Sequence, residues 1–390
     1  MTYNPDYKGS PFTEFSTITV ATPLRVLNLN WHERDLPERL RTKHVHRLHP
    51  YLGKYIPQLV EIFLRKFSPN TVCDPFAGSG TTLVEAATLG IDSVGCDISA
   101  FNCLLAKVKT DVYDLRELTD EIRDILIKTN LRATPSLFNE PFEEETDSDY
   151  LKSWFAPQAL RELLCFRGLI SQYQYQNVLK VILSRSARSA RLTTHFDLDF
   201  PKKPQREPYH CYKHGRICQP TTDALQFLSR YGLDTLKRIK EYSQIRKQAK
   251  VEIINGDSRV VNFPEIDAVV TSPPYVGLID YHEQHRYAYE LLGLPLNEKS
   301  EIGAAANGTS KKAQADYVTD TVKVFANVRQ SLSKNGVVVI VVYDKNNLYE
   351  SIASQAGYRA EEKLLRHVNR RTGRRAGDFF EEIIIWRIDG

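Results

Sequence analysis

Apolar side chains recur at three- and four-residue spacing from residue 56 to 64, where Ile56, Leu59, Val60, Phe63 and Leu64 would share one helical face. Pro57 sits in the first turn, where a proline is tolerated. The pattern then changes. Thr71-Val72-Cys73 reads as a short strand running into Asp74-Pro75-Phe76-Ala77-Gly78-Ser79-Gly80-Thr81. Leu83, Val84 and Ala87 return to helical spacing, and Gly90 ends that helix. Ile91 to Cys96 is a second strand closed by Asp97, and another helix begins near Ala100. This order is a βαβ unit.

Residues 151–250 read as mainly helical, broken by the Pro- and Lys-rich stretch 199–206. The strand pattern resumes at 251–257 and at 266–270, the latter running into Thr271-Ser272-Pro273-Pro274-Tyr275. Residues 302–315 are rich in Gly, Ala and Ser and predict a flexible loop. Residues 336–343 form an apolar strand of the kind buried on both faces, and 381–386 a last strand. Strands thus flank a helical middle. They predict one α/β sheet built from residues 1–110 and 251–390, with residues 111–250 inserted as a second lobe.

Charge sharpens that division. The net charge is +4 overall, but residues 151–250 carry +12 and the remainder −8. A middle so basic points to an anionic partner such as nucleic acid. Arg185, Arg188 and Arg191 recur every third residue and predict a basic helical stripe facing phosphates, with Lys202 and Lys203 following in a loop. Residues 140–149 hold six acidic side chains and read as an exposed linker. No run approaches the ~20 apolar residues of a membrane span. The start of the chain has no basic and apolar leader, and the scattered cysteines do not form a disulfide framework, so a reducing, cytoplasmic setting is expected.

Three places carry candidate chemistry. Phe76 to Gly80 is a glycine turn between strand and helix, where backbone can approach a ligand at a helix N-terminus. It lacks the third glycine of a dinucleotide fingerprint and the Gly-Lys-Ser/Thr of a phosphate loop. Asp97 ends the next strand, where a carboxylate can accept from two ribose hydroxyls, so a nucleoside without an essential pyrophosphate fits. The prolines after Ser272 remove two N–H donors and leave a rigid array of acceptors beside an aromatic ring. Ser272 and the Pro273 carbonyl could accept from an exocyclic amino group, with Tyr275 stacked on the base. Tyr281 and His285, in the polar aromatic run after this turn, are of lesser interest. Cys211-x2-His214-x3-Cys218, with His210 adjacent, resembles half a zinc site. It lacks a fourth ligand, so a surface loop is the favoured reading and no metal is assigned.

Asp74 to Thr81 and Thr271 to Tyr275 resemble the two signature motifs of the amino-group DNA methyltransferases, and residues 49–57 are similar to the segment preceding the glycine loop in many of them. The resemblance implies a Rossmann-like seven-stranded sheet, mostly parallel with one reversed strand, and S-adenosylmethionine as cofactor. It places Asp74, Phe76, Gly78, Ser79, Gly80 and Thr81 around the methionine end, Asp97 on the ribose and Asp257 beside the adenine. Ser272, Pro273, Pro274 and Tyr275 would form the target-base pocket. Ser272 tilts the expected target to cytosine N4 over adenine N6, in double-stranded DNA, with a cognate restriction endonuclease as a further candidate partner. Carbon-5 methylation is disfavoured, because no Pro-Cys dipeptide supplies its nucleophile. An RNA amino-methyltransferase and a catalytically silent DNA-binding module remain alternatives. One departure is the insertion's place between the Asp97 and Asp257 strands, which is not the usual site of a recognition region.

Overall fold

The computed structural model describes residues 13–31, 34–133, 146–195, 197–198, 201–277, 280–297, 300–368 and 379–389. Most of the acidic run 140–149 and the first two residues of the 199–206 stretch lie outside these. Strands β1 (Thr71–Asp74), β2 (Asp92–Asp97), β5 (Val251–Asn255), β6 (Ile266–Thr271), β7 (Leu332–Val342), β8 (Tyr358–His367) and β9 (Phe380–Ile388) make one seven-stranded sheet. Its order is β5-β2-β1-β6-β7-β9-β8, with β9 antiparallel to both neighbours and the other pairs parallel. The single reversed strand is the expected one. Strands β3 (Tyr209–Cys211) and β4 (Arg216–Cys218) form a separate hairpin.

Alternation across the strands supplies two apolar faces. Val72, Ala268, Val270, Val337, Val339, Val341, Ile383 and Ile385 point to one side, against Leu27, Leu29, Trp31 and helix α2 (Pro57–Phe67), which follows the short α1 (Glu38–Arg41). Cys73, Val94, Val269, Val338, Ile340, Ile384 and Trp386 point to the other, against α12 (Lys311–Arg329) and α13 (Leu348–Ala356). Helix α2 shows why the pattern specifies the fold. Leu59, Val60, Ile62, Phe63 and Leu64 are all fully buried, and each such side chain contributes roughly 1.5–3 kcal/mol. Pro57 starts the helix, and Ser68 ends it in the left-handed conformation.

Helices α3 (Thr81–Leu89) and α4 (Ala100–Thr110) flank β2. Residues 111–250 supply α5 (Leu115–Ala133), α6 (Asp149–Trp154), α7 (Pro157–Leu169), α8 (Gln176–Ala190) and α9 (Leu225–Ser243). Their apolar side chains share one cluster with Val84, Phe101, Leu105 and Val108 of α3 and α4, so these helices continue the layer over the sheet. The stretch 302–315 departs from its expected looseness. Ser310 caps α12 by accepting from the Ala313 N–H, and the helix begins at Lys311. Strand β8 has no counterpart in the apolar pattern, because it is a charged edge with Arg359, Glu361, Glu362 and Lys363 exposed.

Candidate active site

The chain reverses its direction across the sheet between β1 and β6, with β2 and β5 on one side and β7 on the other. Ligands bind at such a switch point, outside the carboxyl ends of the strands. The glycine turn leaves β1 and the Ser-Pro-Pro-Tyr turn leaves β6, so both open into this crevice. A pocket here is lined by Tyr51, Phe76, Gly78, Asp97, Ser272 and Tyr281, among others.

Gly78 holds φ +49°, and a Cβ there would meet the Tyr51 hydroxyl at 3.0 Å. Glycine therefore lets the Tyr51 ring close over the loop. The Gly78 N–H donates to Asp97 Oδ2 at 2.8 Å, while Ser99 N and Asn102 Nδ2 donate to Oδ1 at 2.9 and 3.0 Å. Burial pushes the Asp97 carboxyl up, and these donors oppose the shift. Three of about four acceptor positions are used, which leaves room for an incoming hydroxyl. Asp257 is gripped by Arg259, whose Nη2 donates to Oδ2 at 2.7 Å. Burial raises its pKa, but Arg259 outweighs that and the carboxyl stays below its ordinary range. Asp257 lines the pocket as well.

Two residues expected at the ligand stand behind the lining. Asp74 is fully buried and accepts from Thr271 Oγ1 at 2.6 Å, Thr82 Oγ1 at 2.8 Å, Phe76 N at 3.1 Å and Tyr55 Oη at 3.3 Å. Burial raises its pKa to about 6 against those donors. Its work is to tie the glycine turn to the residue before Ser272. Gly80 caps α3 at φ +80°, with its absent Cβ 2.9 Å from the Ala106 Cβ, so it serves helix packing. Phe76, Ser79 and Thr81 do line the pocket, as do Ser272 and Pro274. Pro273 is buried and Tyr275 half-buried, with its ring 6.5 Å from that of Tyr343, and neither lines the pocket.

The family described as DNA methylase, the N6/N4 type, matches residues 49–108, from His49 through the glycine turn and Asp97 into α4. The Type II methyltransferase M.MjaII of Methanocaldococcus jannaschii is 38% identical over 89% of this chain and 81% of its own. This chain belongs to the N6/N4 DNA methylase family. The Type II methyltransferase M.MvaI of Kocuria varians is 24% identical over 67% of this chain and 60% of its own. Among solved structures, the rRNA methyltransferase aviRa of Streptomyces viridochromogenes covers 93% of this chain and 97% of its own at TM-score 0.36 and 11% identity.

The cofactor of this DNA methylase is S-adenosylmethionine, and the pocket fits it. Two buried polar atoms in the lining, Ser79 Oγ and Asn102 Oδ1, have no hydrogen-bond partner among the described residues. Such atoms are costly unless a ligand or water meets them. The lining offers the carboxylates Asp97, Asp257 and Glu301 for a ribose diol and an ammonium group. Lys54 is its one ammonium among the described residues and suits the methionine carboxylate. Burial lowers the Lys54 pKa to about 8, and its Nζ donates to the His46 carbonyl at 2.7 Å.

Sequence reasoning missed several of these groups. Tyr51 stacks on Tyr281 at 5.6 Å and on His285 at 5.7 Å, so Tyr281 lines the pocket while His285 supports Tyr51 from behind. Burial lowers the His285 pKa to about 4, which keeps the ring neutral. Glu301 reaches the pocket with His282 as its partner. Tyr51 and Lys54 lie in the segment preceding the glycine turn and could have been read there, whereas nothing local marks Glu301.

Arg185, Arg188 and Arg191 do not form the open stripe that their spacing suggests. Arg185 is nearly buried, with Nη1 donating to Asp234 Oδ2 at 2.6 Å and its guanidinium 4.2 Å from the Tyr231 ring centre. Arg191 donates to the Leu198 carbonyl at 2.7 Å and stacks 4.3 Å over Tyr287, a residue of α11 (Arg286–Leu292), which follows the short α10 (Tyr281–Gln284). Both are consumed in joining α8 to its neighbours, and Arg188 is half-buried. Lys202 and Lys203 are exposed. No helix among the described residues is long and apolar enough to cross a membrane.

Proposed function

We propose that this chain methylates the exocyclic N4 of cytosine in double-stranded DNA at a specific sequence. The observation that carries the reading is that Ser272 and Pro274 line the same pocket as Asp97 and the glycine turn. A target amino group and a cofactor would therefore meet in one crevice. S-adenosylmethionine, when bound, supplies an electrophilic methyl group. The chain's own residues position its partner. Thr271 Oγ1 is held by Asp74, which fixes the backbone immediately before Ser272. Neither proline offers an N–H, so these two positions present carbonyl acceptors only. Ser272 and the Pro273 carbonyl accept from the two amino hydrogens, which orients the nitrogen lone pair toward the methyl group. Tyr275 supports the face of a base swung out of the duplex. A serine hydroxyl, in place of the Asp or Asn usual for adenine N6, favours cytosine.

The insertion, residues 111–250, is proposed to read the target, supported by its charge of +12 over 151–250 and by the exposed Lys202 and Lys203. Incubating the protein with tritiated S-adenosylmethionine and, separately, plasmid DNA, tRNA and rRNA tests the substrate. Label is expected in DNA alone, and preferential labelling of RNA would overturn the proposal. Activity surviving the combined Ser272→Ala, Pro273→Ala and Tyr275→Ala substitutions would overturn the role of the turn.

A further inference from the structure

Among the described residues the hairpin β3–β4 has no sheet neighbour, and its strands are three residues long. A two-stranded hairpin of that size is marginal by itself in water. Cys211 and Cys218 are nevertheless 2% and 7% exposed, and neither joins any of the three apolar clusters. The burial of these two thiols is therefore not supplied by an apolar core. The sequence offered Cys211, His214 and Cys218, one ligand short. The fold brings His195, from the segment after α8, to the same point. One ligand atom from each of the four lies within 4.8 Å of every other. Cys211 Sγ is 3.5 Å from His195 Nδ1 and 3.6 Å from His214 Nδ1, and His214 Nδ1 is 3.4 Å from Cys218 Sγ.

We propose that His195, Cys211, His214 and Cys218 bind one zinc ion that staples the hairpin to the end of α8. Zn–S bonds near 2.3 Å and Zn–N bonds near 2.05 Å at tetrahedral angles give S···N edges of about 3.6 Å. The three measured edges of 3.4 to 3.6 Å match that figure. Two thiolates and two imidazoles select zinc over magnesium or calcium. The turn is built for the geometry. Cys211 O accepts from His214 N at 3.2 Å and from Gly215 N at 2.8 Å, and Gly215 supplies φ +62° with open space around it. The rings of His195 and His214 converge, 4.6 Å apart and steeply tilted. His195 Nδ1 is also 2.9 Å from the Tyr209 hydroxyl, a contact that metal binding would replace. The adjacent His210 is exposed and takes no part. With four protein ligands the site is closed, hence structural. It would order the exposed Tyr212, Lys213 and Arg216 on the same basic segment as Lys202 and Lys203.

The test is metal analysis of the full chain purified without chelator. One zinc per chain is expected by elemental mass spectrometry. Cobalt replacement should give the visible bands of a tetrahedral site with thiolate charge transfer. The double variant Cys211→Ser, Cys218→Ser should lose the zinc and the charge-transfer band. His195→Cys should keep one metal with stronger thiolate absorption, which guards against a variant that fails only by misfolding. A chain without stoichiometric zinc would overturn the proposal. So would zinc persisting in the double variant, since that would move it to the other clustered ligands, His44, His46 and Glu85.

Discussion

Replacing Asp74 with Ala tests whether this carboxylate holds the two functional turns together from behind the pocket. It removes the acceptor of four donors. Thr82 Oγ1 and Tyr55 Oη also reach the Val270 carbonyl, at 2.9 and 3.2 Å, and keep a partner. Thr271 Oγ1 and Phe76 N lose theirs. Two orphaned buried donors at roughly 1–3 kcal/mol each cost about 2–6 kcal/mol. The buried charge opposes this. A carboxyl raised from 3.8 to about 6 carries a penalty of about 3 kcal/mol once ionised. The folded pKa is the higher one, so the contribution of Asp74 to wild-type stability falls as pH rises from the unfolded pKa toward the folded one. About 2 kcal/mol of that fall lies between about pH 4.5 and about pH 7.5. Urea titrations of wild type and Asp74→Ala at both pH values read the difference. At about pH 4.5 the variant should be less stable than wild type by roughly 1–5 kcal/mol, and the gap should be about 2 kcal/mol smaller at about pH 7.5. A gap that widens with pH, or a stability unchanged at both pH values with weakened S-adenosylmethionine binding, would refute the assignment and put Asp74 in the pocket.

Asp97→Asn should weaken S-adenosylmethionine binding at least tenfold by calorimetry, about 1.4 kcal/mol, and an unchanged affinity would remove Asp97 from the ribose. Gly80→Ala meets Ala106 at 2.9 Å with φ at +80° and should lose about 2 kcal/mol or more, read as a lower melting temperature. The pair Lys202→Ala, Lys203→Ala should flatten the salt dependence of DNA binding by about 2 in log–log slope. Arg185→Ala should leave that slope unchanged and cost roughly 1–3 kcal/mol of stability, because its partner Asp234 keeps some solvent. A salt slope altered by Arg185→Ala alone would restore that residue to the DNA surface.

The sheet was legible where burial on both faces or clean alternation marks a strand, as in β6, β7 and β9. Strand β8 was not, since its pairing with β9 needs no apolar signature at a charged edge. The site was legible at its two turns, because glycine and proline act on the backbone locally. What each polar side chain meets was less so. Asp74 reads as a ligand contact by its place in the motif, yet its partners Thr271 and Tyr55 come from elsewhere in the chain. The arginine spacing gave a helical stripe but not which face is covered, and the cover comes from Asp234, Tyr231 and Tyr287. His195 lies sixteen residues before Cys211, beyond any compact ligand spacing.

The proposed activity is methyl transfer to the cytosine amino group at the Ser272 turn. Its most direct measurement is digestion of DNA methylated by the purified protein with methyl-labelled S-adenosylmethionine, followed by mass spectrometry of the nucleosides. Label is expected in N4-methylcytosine, abolished by the combined Ser272, Pro273 and Tyr275 substitutions. Label in N6-methyladenine or 5-methylcytosine, or none in DNA, would contradict it.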